Sequence, residues 1–175
     1  MKIKLVLFYF LANMIAGMEI QISIDKQELK VVHNEKIVKT YIISSSLYGE
    51  GSEEGSFKTP LGEHFIKKKI GEGVELGGRF EGRVFYGEIH PIYQKDEVYA
   101  DDDVVQTRIL WLSGLEEGKN KGKGVDSFER YIYIHGTPEE WLLGTKASKG
   151  CIRMANKDVI ELFDIVEENT KVIIK

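Results

Sequence analysis

The sequence predicts a mostly antiparallel β domain with at least one helix, and three observations carry that prediction. Isoleucines at positions 20, 22 and 24 alternate with polar residues, the period-2 signature of a half-buried strand. Further β-branched and aromatic runs recur along the chain, separated by Gly/Ser/Glu-rich segments that read as loops. Near the end Val159, Leu162, Phe163 and Val166 fall at i, i+3, i+4 and i+7, one apolar face of a helix.

The elements follow in order. Residues 1–17 read as a secretory signal and 18–175 as one domain. Lys2 and Lys4 give a basic start, and Leu5 to Ala16 is apolar apart from Asn13, too short for an ordinary spanning helix. Ala16-Gly17 offers small residues for cleavage, although the positions before them fit the A-x-A pattern poorly. An uncleaved segment would instead leave a membrane tether. Glu28 to Val32 and Lys36 to Ser44 form a hairpin about His33-Asn34-Glu35, and residues 48–62 form a loop. "HFIKKKIGEG", Val84-Phe85-Tyr86, Thr107 to Leu112 and Arg130 to Ile134 supply further strands. Alternation along the last of these sends Tyr131, Tyr133 and His135 to one face. The helix is predicted to start with Asn156 as N-cap and Asp158 in its first turn, with Asn169 near its end, before a final strand over Lys171 to Lys175.

Composition narrows the function. With 175 residues, 42% hydrophobic and 30% charged, the chain can bury a sizeable core. A net charge of -4 gives no support to nucleic-acid binding. Asp101-Asp102-Asp103 lacks the glycine and distal glutamate of an EF-hand loop, so a solvated loop is the simpler reading. His135, His90 and Cys151 lack the short spacing of zinc ligands, so no metal and no cofactor is expected.

Cys151 is the single cysteine and lies sixteen residues after His135. It reads either as a buried structural residue or as a nucleophile, since a thiol attacks as thiolate and needs a base beside it. Sixteen residues exceed four helical turns, so the pair meets only if the chain doubles back through the Gly- and Pro-containing segment 136–150. Gly150 permits a tight turn and close approach of a carbonyl, with nearby N–H groups available to an oxyanion. A redox role is disfavoured, because no second cysteine can resolve a disulfide within the chain.

The segments "HGT" and "SKGCIRM", with "GSFKTPLGEHFI" upstream, resemble the signature of the L,D-transpeptidases with a YkuD-type catalytic domain. The resemblance runs over about residues 19 to 175 and implies a YkuD-like β-sandwich or mixed sheet. Carried onto this chain, it implies Cys151 as nucleophile, His135 as general base, and the Gly136 carbonyl as the group that orients the imidazole. Ser148, Gly150 and Arg153 match the loop around the nucleophile, with Arg153 a candidate contact for a substrate carboxylate. Lys149 stands where the family usually has histidine. The implied activity is peptidoglycan transpeptidation at the third-position diamino acid of stem peptides, in the periplasm or cell envelope. An L,D-carboxypeptidase or another wall hydrolase would use the same residues, and a non-catalytic wall-binding module would keep only the fold.

Overall fold

The computed structural model describes residues 17–95, 97–100 and 103–175. All of the segment read as a secretory signal except Gly17, together with Asp101 and Asp102, lies outside the described residues. Strands β1 (Met18–Ser23), β2 (Glu28–His33), β3 (Lys36–Ser44), β4 (Gly62–Ile70), β5 (Gly78–Glu81), β6 (Val84–Ile89), β7 (Val105–Gly114), β8 (Tyr133–Gly136) and β9 (Ile152–Met154) precede helix α1 (Asn156–Ile165) and strand β10 (Lys171–Ile174). Among these residues no helix is long and apolar enough to cross a membrane.

The strand order is β4-β10-β1-β2-β3-β9-β8-β7-β5-β6, and β4 also pairs with β7. That extra pairing closes eight strands into a ring, with the β5–β6 hairpin attached outside it at β7. The implied sandwich is thus one continuous mixed sheet: β1 runs parallel to β10 and β8 parallel to β9, and the other pairs are antiparallel.

The alternation of β1 buries Ile20 and Ile22 completely, opposite Val31 and Leu29 of β2. The turn to β3 uses Asn34 and Glu35 at φ 48° and 62°. Two left-handed residues suit the twist of a tight hairpin, and asparagine tolerates that conformation well. Helix α1 lays Val159, Leu162 and Phe163 on the core formed inside the ring. At about 25 cal/mol per Å² of apolar surface, such fully buried side chains each contribute about 2 kcal/mol.

Three local expectations are corrected. Asn156 is not the N-cap; Ala155 holds that position without a side-chain bond, and Asn156 is a buried helical residue whose amide is used elsewhere. Asn169 lies beyond the helix, at φ 70° in the turn before β10. Arg130 and Tyr131 form a turn rather than strand, with Tyr131 at φ 58° and half exposed, so only Tyr133 and His135 follow the strand alternation. Strand β5 was not anticipated, because its four residues sit in a glycine-rich run with no periodicity to read.

Candidate active site

The parallel pairing of β8 with β9 creates the site. Its register sets Ile134 against Ile152 and His135 against Arg153. Alternation then sends Ile134, Ile152 and Met154 into the core, fully buried. Tyr133, His135, Arg153 and Cys151, one residue ahead of β9, share the opposite face. A histidine and a cysteine sixteen residues apart therefore meet across adjacent strands, with the loop 137–150 making the crossover.

His135 is fully buried, and its Nδ1 lies 2.8 Å from the Gly136 carbonyl oxygen. A carbonyl only accepts, so Nδ1 carries the proton and donates it there. The Nε2 lone pair is buried and has no hydrogen-bond partner among the described residues. An unpaired buried acceptor costs about 1–3 kcal/mol, and an Nε2 in this state can take a proton without first giving up a hydrogen bond. The Cys151 sulfur lies 3.4 Å from the Tyr131 carbonyl, to which the thiol donates, and accepts the Tyr133 N–H at the same distance.

Hydroxyl groups shape the turn that presents the cysteine. Gly150 adopts φ 119°, in the region that favours glycine. Its N–H donates to Ser148 Oγ at 3.2 Å, so that donor is engaged and not open to an oxyanion. The Ser148 hydroxyl donates to the Cys151 carbonyl at 2.6 Å, and the Thr59 hydroxyl donates to the Gly150 carbonyl at 3.0 Å. Thr59 belongs to the "TPLG" segment, which gives that stretch a mechanical role at the site. Gly136 is needed for close approach: a Cβ there would lie 2.3 Å from Asn156 Oδ1 and 2.7 Å from the Gln106 carbonyl oxygen.

Arg153 is buried in an ion cluster, its guanidinium bound to Glu139 Oε2 at 2.7 Å and Asp103 Oδ1 at 2.9 Å. Asp103 also accepts the Lys149 N–H at 3.2 Å, while residue Lys149 is exposed. These residues line a cleft of about 390 Å³ together with Leu47 and Tyr99. Burial is the largest influence on Asp103 and opposes its ionisation, but Arg153, His135 and the Lys149 N–H together outweigh it and hold the carboxyl below its ordinary range. Burial lowers the His135 pKa, against the pull of the Asp103 carboxylate. Burial, reinforced by Asp103, pushes the Cys151 thiol up to about 12 despite the Tyr133 N–H, Arg153 and Arg130. Both shifts favour the uncharged forms, a neutral thiol and a neutral imidazole.

Sequence reasoning missed three contributors. Asn156 accepts the Thr107 hydroxyl at Oδ1 and donates to the Thr137 carbonyl at 2.7 Å, bracing the segment after His135. Asp103 was read only as part of an acidic run, and Glu139 gave no signal. His90 stands apart, with Nδ1 3.0 Å from the Pro91 carbonyl oxygen and its ring edge-on to Tyr93.

The model of the YkuD family, the L,D-transpeptidase catalytic domain, matches residues 17–174. The provisionally named L,D-transpeptidase YkuD of Bacillus subtilis is 58% identical over 46 residues, 26% of this chain and 28% of that protein. The equally provisional YqjB of the same organism is 44% identical over 85 residues, 49% of this chain and 44% of that protein. The matched segments thus span less than half the length of these relatives. In fold, the chain is similar to L,D-transpeptidase 3 from Mycobacterium tuberculosis, solved with a faropenem-derived adduct, at TM-score 0.56 and 16% identity over 91% of this chain and 60% of that one. It is also similar to the Enterococcus faecium L,D-transpeptidase, at TM-score 0.51 and 17% identity over 92% and 50%. A family model spanning nearly the whole chain, on a sheet that brings its histidine and cysteine to one face, establishes that this protein belongs to the YkuD family of L,D-transpeptidase catalytic domains.

Proposed function

We propose that the protein is an exported peptidoglycan L,D-transpeptidase of the cell envelope, with Cys151 as nucleophile and His135 as its base. The observation that carries this reading is the unpartnered Nε2 lone pair of His135, whose other nitrogen is committed to Gly136, on the face that holds the cysteine. The donor is a stem tetrapeptide bound through the carbonyl of its third-position diamino acid. As the sulfur attacks that carbonyl, its proton passes to Nε2 and a tetrahedral oxyanion forms. Collapse breaks the amide bond, the imidazolium gives its proton to the departing amine, and D-alanine leaves with a thioester remaining on Cys151. An amine acceptor then attacks the thioester with Nε2 again taking the proton, and the thiol is released.

Arg153 supports this chemistry indirectly. Its guanidinium is occupied by Asp103 and Glu139, so it ties the strand after the nucleophile to the flanking loops rather than offering free donors to substrate.

The test is intact-protein mass spectrometry after incubation with a carbapenem, followed by assay on tetrapeptide-bearing muropeptides. An adduct localised to Cys151, and dimeric or exchanged muropeptides that vanish in Cys151→Ala, are the expected results. No adduct on a folded protein with a free thiol overturns the reading. Free D-alanine without dimer or exchange product makes water the acceptor and the enzyme a carboxypeptidase.

A further inference from the structure

A second feature lies on the same face of the sheet, running from Cys151 toward β4. The registers set Tyr133 of β8 against Trp111 of β7, and Trp111 against Lys68 of β4. Cys151 sits one place before the Ile134–Ile152 pair and so flanks Tyr133. The nucleophile, Tyr133, Trp111 and Lys68 therefore form one transverse row over four neighbouring strands. At about 4.8 Å per strand, its ends are about 14 Å apart, the length of roughly four extended residues.

Three cations cap this row. Arg83, on the β5–β6 turn, places its guanidinium 4.9 Å from the Trp111 ring centre and 4.8 Å from that of Tyr131, and donates to the Tyr133 hydroxyl at 3.1 Å. Lys68 stands 5.7 Å from the Trp111 ring. A register shift in β4 between Ile66 and Lys68 lets the adjacent Lys67 reach outward as well, 3.9 Å from the ring of Phe128, which stacks on Trp111. None of the three cations has a carboxylate within ion-pair distance among the described residues, although Lys67 acts at longer range on Asp126. The Arg83 guanidinium makes no other hydrogen bond there than the one to Tyr133, which leaves donors of its planar fork for a ligand. On the other side of the cysteine the charged groups are different in kind, since Asp103 and Glu139 already neutralise Arg153.

We propose that this cation-capped aromatic row is a subsite for a carboxylate of the peptide acyl donor, with Arg83 its specificity-determining contact. The inference rests on the reading of Cys151 as the acylated residue. Aromatic faces on Trp111 and Tyr131 hold the guanidinium in place, so little rotamer freedom is lost when it binds an anion. A donor peptide offers such anions near the scissile bond: its C-terminal carboxylate and, where the diamino acid carries one, a side-chain carboxylate.

The test compares three tetrapeptide donors: the free acid, the C-terminal amide and the side-chain amide. Turnover is measured for the natural protein, Arg83→Gln and Arg83→Lys. Binding of the same donors to Cys151→Ser, with and without Arg83→Gln, is measured by calorimetry. We expect Arg83→Gln to weaken the free acid by about ten-fold through KM rather than kcat, with partial recovery in Arg83→Lys. The amide that loses the same factor in the natural protein, and loses nothing more in Arg83→Gln, identifies which carboxylate is held. Equal losses on all three donors, or none, overturn the subsite. Carboxylate-dependent binding without turnover of any donor would instead count against the transpeptidase reading and leave the subsite standing.

Discussion

The neutral state of Cys151 gives a prediction with a worked magnitude. Burial and the Asp103 carboxylate raise its pKa from 9.0 to about 12. At pH 8 a pKa of 9 leaves about a tenth of a thiol ionised, whereas a pKa of 12 leaves roughly one part in ten thousand. Since the thiolate is the reacting species, iodoacetamide should alkylate Cys151 about a thousand-fold more slowly at pH 8 than an ordinary protein thiol. The logarithm of the rate should climb by about one per pH unit without a plateau up to about pH 11. Asp103→Asn removes the carboxylate that opposes ionisation and should speed labelling at fixed pH. The assay is stopped-time alkylation read by intact mass, with near-ultraviolet circular dichroism marking the range where the fold persists. A plateau below pH 8 would refute the reasoning, because it would mean a thiolate–imidazolium pair exists before substrate binds.

Other outcomes follow from individual side chains. His64 is buried between the Gly62 carbonyl and the Ser127 hydroxyl, and burial lowers its pKa from 6.5 to about 4. The folded protein then binds fewer protons than the unfolded chain between these values, so about 3 kcal/mol of stability present above pH 6.5 should be lost as pH falls toward 4. Urea titrations across that range should show the loss, and His64→Gln should flatten it relative to the parent. Asn156→Ala strands the buried Thr107 hydroxyl and Thr137 carbonyl, so a loss of about 3 kcal/mol is expected in chemical denaturation, with unchanged m-value. Gly150→Ala meets only ordinary contacts at 3.4–3.5 Å, yet must hold φ 119°. That strain of about 1–3 kcal/mol should shift the turn that carries Cys151 and, on the proposed mechanism, slow carbapenem acylation in a protein that still folds.

Local patterns were legible where one periodicity decides the structure. The alternating isoleucines of β1, the Asn34-Glu35 turn and the apolar face of α1 each follow from side-chain spacing within a few residues. Ring closure by β4 and β7 was not legible, since it depends on pairing residues some forty positions apart with no local mark of the partner. The site divides the same way. His135, Gly136 and Cys151 stand in a compact signature, whereas Asp103 lies in an acidic run that reads as solvated loop. Its meaning comes only from Arg153, fifty residues away. Asn156 was misread for a specific reason: asparagine ahead of an apolar helix is the usual capping pattern, but here the amide satisfies buried groups across the site. At Arg130-Tyr131 the β-branched and aromatic composition favoured strand, and the turn that forms instead aims the Tyr131 carbonyl at the sulfur.

The half-buried Cys151 thiol, held between the Tyr131 carbonyl and the Tyr133 N–H, has a consequence for the protein's working life. Peroxides and disulfides, like iodoacetamide, consume thiolates, and each oxidation step begins from that form. A cysteine held in the protonated form is a poor target for such oxidants. No other cysteine stands guard in this chain. The surroundings that raise its pKa therefore also shield it, and on the proposed mechanism that shield lasts only until the thiol gives up its proton.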